Sequence, residues 1–239
     1  MTSPLQDPAG HAPEQQMELV YRLFVGLSPW MDPESGLGGK LLLAGEPDDA
    51  GCLELRAANI AGAASLAASA DAPALRRAMR QGALDFVVNS LDEALRILKN
   101  QVRKKEPVAV GISAEPAAVL AEMVERGVQP DLLAPSLIAA PQLAFFSAYG
   151  AQTCAPLTES ARGSAMFHIV PMSGEGKEPA AALDALLLDC LAAEDHLNRR
   201  WVLFAPRYLS AECRRLRSLV CDPATARKQI PQVGNSIGV

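Results

Sequence analysis

The chain has 239 residues, a formal net charge of −5, and hydrophobic residues at 49% against aromatics at 5%. That balance excludes a basic, aromatic-rich nucleic-acid surface, because neutralising phosphates needs clustered Lys and Arg. The length suits one large α/β domain with a genuine core. Met1 to Pro13 is polar and proline-rich with no basic start, so it reads as a disordered tail and not as a leader. No apolar run reaches the ~18 residues of a spanning segment, and a cytoplasmic protein without membrane contact is expected. Glu14–Gly26 then places Met17, Val20, Tyr21, Phe24 and Val25 at helical spacing. Pro29, Pro33, Gly36, Gly38 and Gly39 follow as a loop.

From Lys40 the pattern becomes one of crossover units. Strands are predicted at 41–44, 65–70, 86–89, 108–113 and 132–134, with helices at 52–62, 73–81, 91–103 and 116–126. The first strands are unbroken apolar runs, as expected of parallel strands covered on both faces. Ser90 and Glu93 have capping-box spacing, and Gly127 suits a helix C-terminus. Beyond a broken stretch, 139–163, with a short helix near 143–149, the pattern predicts a strand at 166–172 and a long helix at 179–197. A strand at 201–205, a helix at 210–220 and a frayed end complete the chain. The fold class is therefore a Rossmann-like, doubly wound, mostly parallel α/β/α sandwich of about seven strands. A single domain is expected over 14–239, with 150–239 adding strand-helix units of its own.

The strand KLLLAG (Lys40–Gly45) ends where a dinucleotide fold carries a glycine-rich loop. Here the turn reads Glu46-Pro47-Asp48-Asp49-Ala50-Gly51. Glycine-rich loops bind pyrophosphate by closing bare N–H groups on it at a helix N-terminus. Three carboxylates add the wrong charge, and proline removes a donor. Asp48 and Asp49 could serve either as ligands to a divalent cation or as caps on the following helix; the cap is the simpler role.

Several stretches from Gly39 to about Leu143 carry a resemblance: LLLAG, AGAASL, and Asp71-Ala72-Pro73-Ala74-Leu75-Arg76-Arg77. Further along come Ser90-Leu91-Asp92-Glu93-Ala94-Leu95, VAVGISA, and the run from Glu122-Met123-Val124-Glu125-Arg126-Gly127 to Pro130-Asp131. Together they resemble the Rossmann-type NAD-binding domain of urocanase (urocanate hydratase). The resemblance implies an NAD site at Gly45, Gly51, Ser69 or Asp71, Ser113 and Ser136. It also implies three departures. The family's glycine turn is replaced by Glu46 to Asp49. Its ribose-binding acid falls on Ser69, with Asp71 two residues on. Its cofactor and active-site loop becomes Ala134-Pro135-Ser136-Leu137-Ile138-Ala139-Ala140-Pro141-Gln142, with no ionisable group. In urocanase this domain sits within a larger core that supplies the substrate site, and no such core is legible here.

Other chemistry is sparse. Cys52, Cys154, Cys190, Cys213 and Cys221 have neither zinc nor disulfide spacing and read as reduced thiols. His168 lies inside an apolar strand, and His196 near the end of the predicted long helix. Gly174, Gly176 and Lys177 form either a plain turn or half of a phosphate loop. No GxSxG elbow accompanies a serine. No catalytic residue and no metal site is predicted, and no cofactor is expected, with NAD as the alternative. The expected function is a non-catalytic relative of the urocanase NAD domain with a structural, regulatory or interaction role, as a homo-oligomer or beside a protein partner. Its surface for that role would be the first helix or Ala139–Phe146. The alternative is a nucleotide- or small-ligand-binding enzyme related to urocanate hydratase, using the crevice at the strand ends.

Overall fold

A computed structural model describes residues 12–137, 142–155, 166–172 and 177–221. Its strands are β1 (Leu41–Leu43), β2 (Ala64–Ser69), β3 (Phe86–Val88), β4 (Val108–Ser113), β5 (Leu132–Leu133) and β6 (Gln152–Thr153), then β7 (Met166–Pro171) and β8 (Leu216–Cys221). The helices are α1 (Pro13–Gly26), α2 (Asp49–Ala61), α3 (Ala72–Arg80), α4 (Leu91–Lys104), α5 (Pro116–Glu125), α6 (Leu143–Ala148), α7 (Lys177–Asp189) and α8 (His196–Tyr208).

Strands β1 to β6 form one sheet in the order β3-β4-β2-β1-β5-β6, parallel at every pairing. This is the expected Rossmann-like sheet, with six strands where about seven were predicted. Alternation assigns the two faces. Leu42, Ala44, Ala67 and Ala109 join the cluster built from α1, α2 and α8. Leu43, Leu66, Ala68, Val110 and Ile112 join the cluster with α4 and α5. Because both faces are covered at β1, β2 and β4, these strands carry no polar alternation, as buried parallel strands require. The chain first fills the β2, β4, β3 side and then returns to place β5 beside β1. Loops after β1 and β5 consequently diverge, and a crevice opens there.

Local signals explain the helix ends. Ser90 Oγ accepts from Glu93 N (3.3 Å), the first half of the predicted capping box, and the Glu93 carboxylate reaches back one residue further, to Asn89 N (3.0 Å). Gly127, at φ +63°, follows α5 as expected. One of the runs carrying the resemblance, Glu122–Asp131, is spent on the scaffold. Arg126 donates to Glu122 at 2.8 Å and to Asp92 at 2.6 Å, pinning α5 to α4. Gln129 donates to the Phe146 carbonyl (2.8 Å), and Asp131 Oδ2 accepts the Leu41 N–H (2.8 Å) at the start of β1.

The last third departs from expectation. Trp201–Ala205, predicted as a strand, is the centre of α8; Trp201, Val202, Ala205 and Tyr208 bury one helical stripe. Residues 210–220, predicted as a helix, form a 3₁₀ turn (Glu212–Arg215) and then β8. The long helix of 179–197 is two helices, so His196 opens α8 behind the Asp195 cap and does not sit at a C-terminus. Strand β8 pairs antiparallel with β7 in a separate two-stranded sheet. Trp201 fastens this part to the first helix: its ring meets Tyr21 at 5.0 Å and Phe24 at 5.4 Å, and its Nε1–H donates to Ser218 Oγ at 2.8 Å. The apolar stripe of α1, offered above as a partner surface, is thus buried within the chain, as is Phe146.

Candidate functional site

The turn after β1 folds onto itself. Asp48 is the N-cap of α2, its Oδ1 accepting the Gly51 N–H at 2.8 Å. In a dinucleotide fold the phosphates receive such N–H groups. Gly51 leaves room for chain packing and not for a ligand, since a Cβ there would collide with the Glu46 carbonyl oxygen. Ser69, at the end of β2, donates through Oγ to Glu46 Oε2 at 2.8 Å and accepts from Asp71 N at 3.1 Å. A carboxylate from the turn therefore sits at the strand end where the resemblance implies a ribose contact. Asp71 caps α3 through Ala74 N at 3.1 Å.

Gly45 and Ser136 meet across the divergence of β1 and β5. A Cβ at Gly45 would collide with Ser136 Oγ. Ser136 donates its N–H (2.9 Å) and its hydroxyl (2.6 Å) to the Glu54 carboxylate. Glu54 is 7% exposed. Burial raises its pKa above the usual carboxylate range, against the lowering effect of the Ser136 bonds. Sequence reasoning missed Glu54. The available signal was slight: a carboxylate between Leu53 and Leu55 in the predicted helix. Arg56, also buried in α2, donates to the Tyr208 and Gln81 carbonyls at 2.7 Å each.

Between β1, β2 and the start of α5 lies a cavity of about 360 Å³. Leu43, Leu66, Ala68, Val119 and Leu120 give it apolar walls, and Glu46, Ser136 and Gln142 line its polar part. Of the six predicted site residues, Gly45 and Ser136 line this cavity, and Ser69 reaches it through Glu46. Gly51 and Asp71 are engaged in helix starts. Ser113 pairs in register with Ser69 but is not among the described lining residues.

The remaining candidates are engaged elsewhere. His168 Nε2 lies 3.2 Å from the Cys221 carbonyl within the β7–β8 pair. Burial pushes the Cys52 thiol to about 11 and Cys154 to about 12, which makes both poor nucleophiles near neutral pH. Gly174 and Gly176 lie outside the described residues, and Lys177 opens α7. Among the described residues no group of three or more His, Cys, Asp and Glu is placed to hold a metal, and no helix is long and apolar enough to cross a membrane.

Residues 32–139, under half of the chain, match the urocanase Rossmann-like domain, and over that span the protein resembles the NAD-binding domain of urocanase.

Proposed function

We propose that this protein is a non-catalytic relative of the urocanase NAD-binding domain, acting as a structural, regulatory or interaction module and not as a urocanate hydratase. One observation carries this: the phosphate cradle is filled by the chain's own carboxylates, Asp48 on the Gly51 N–H and Glu46 on Ser69. A phosphate held at about 4 Å from such a carboxylate is opposed by roughly 1–4 kcal/mol for screened charges. A pyrophosphate would have to displace a helix cap as well. The turn therefore supplies anionic groups where NAD needs donors, and the role that remains is that of a scaffold, alone as a homo-oligomer or beside a protein partner.

Titration calorimetry with NAD and an ultraviolet assay of urocanate hydration test this. The expected result is no heat of binding and no loss of urocanate at millimolar concentrations. Binding with a Kd of about 10 µM would raise stability by roughly 2.7 kcal/mol at a hundredfold excess; that shift, or turnover, would overturn the proposal. A second role, binding of a small ligand, is favoured by the open cavity at the switch point.

A further inference from the structure

The crevice that the filled cradle leaves open has a chemistry of its own. Its volume of about 360 Å³ lies at the lower end of small-molecule sites. Room exists because the strand ends and helix start present small residues, Ala44, Ala68 and Ala117, between larger apolar ones. Among the described lining residues the one charged group is Glu46; none is Lys, Arg or His. The Ser69 hydroxyl holds the Glu46 carboxylate on one oxygen at 2.8 Å, and a carboxylate accepts more donors than one.

An anion finds little here. Glu54 stands directly behind Ser136 and takes both of its donors. Helix α5 opens at the cavity with Pro116, which has no N–H, and the Ala118 and Val119 N–H groups turn onto the Glu115 carbonyl. The positive end of that helix is thereby largely spent on its own turn.

The geometry points to a binding site for a small apolar amine: an aromatic or branched aliphatic body against Leu66, Val119 and Leu120, and a protonated nitrogen on Glu46. Such a charge-assisted hydrogen bond is stronger than a neutral one, and Glu46, exposed at the mouth of the cavity, can meet an amine entering from solvent. The inference rests on the proposal that the cradle excludes a dinucleotide, and it adds a ligand class to it.

Three probes that share a phenylethyl body test it on the full chain, 2-phenylethylamine, 2-phenylethanol and 3-phenylpropionate, by ligand-observed NMR and thermal shift, with NAD as a fourth arm. The amine is expected to bind at least tenfold tighter than the alcohol, and the carboxylate not at all. Glu46→Gln should cost the amine roughly tenfold and leave the alcohol unchanged. Ala117→Leu, at an exposed helix position, should block both. Should that variant fail to fold, amine-induced shifts of the Ala68, Ala117 and Leu120 methyl signals in the unmodified protein report the same contact. Carboxylate binding as tight as the amine, equal binding of amine and alcohol, shifts confined to other methyls, or no amine binding at millimolar levels would each overturn the inference. NAD binding would instead sink the reading of the cradle, a separate result.

Discussion

At the scale of single residues, Glu54 carries the clearest consequence. Its carboxyl is buried, and desolvation raises its pKa in spite of the Ser136 bonds. A group whose folded pKa is raised binds its proton more tightly in the native state. Its stabilising contribution is therefore complete below the unfolded value and is lost as pH rises through the folded one. Stability should thus decline upward from the ordinary glutamate range, at about pH 4.3. Glu54→Gln keeps an acceptor for Ser136 and removes the titration. Urea denaturation from pH 4 to 7 is expected to show this decline in the unmodified protein and to lack it in the variant; equal slopes would refute the assignment. That signal did not suffice beforehand, because nothing in a one-dimensional pattern says which side of α2 faces the β5 loop. The acidic turn was legible, since charge and proline content act locally. Its outcome was too: Asp48 became a cap, as an aspartate three residues before a backbone N–H commonly does.

At the scale of elements, prediction succeeded where one signal dominated and failed where two competed. The strands β1, β2 and β4 are apolar runs bounded by turns, and α4 has both its cap and its stripe. The segment Trp201-Val202-Leu203-Phe204-Ala205 is equally apolar, and periodicity alone does not separate a short buried strand from a helix segment. The deciding features were the Asp195 cap, with Asn198 N at 3.0 Å, and the burial of every third or fourth residue while Leu203 stays 56% exposed. Strand β6 escaped notice because Gln152–Thr153 is two polar residues long and pairs only along one edge. Helix α8 holds its neighbours through Trp201, which touches α1 by ring contacts and β8 by a hydrogen bond. Trp201→Ala should therefore cost about 3–5 kcal/mol in denaturation experiments. It should also weaken amide-exchange protection in α1 and β8 together; a loss confined to α8 would mean that the tryptophan is not the common fastening.

At the scale of the whole molecule, α2 is the shared wall. One side lies on the parallel sheet, and α1 and α8 cover the other. Arg200 from α8 donates to the Ile60 carbonyl at 3.0 Å and lies over Gly36 and Gly62, where any side chain would strike the guanidinium. From such packing the described residues are expected to unfold together. A chain ending at Ala155 should expose the Leu55, Tyr21 and Phe24 surface, bind a hydrophobic dye and lose its sharp thermal transition. A soluble, sharply melting truncation would show instead that the last third is an annex. Asp131 offers a final consequence. It belongs to one of the runs that resemble urocanase, yet its carboxylate is committed to the Leu41 N–H, the seam between β1 and β5. Likeness along that run therefore describes how the sheet is joined, and is silent on what the neighbouring crevice holds.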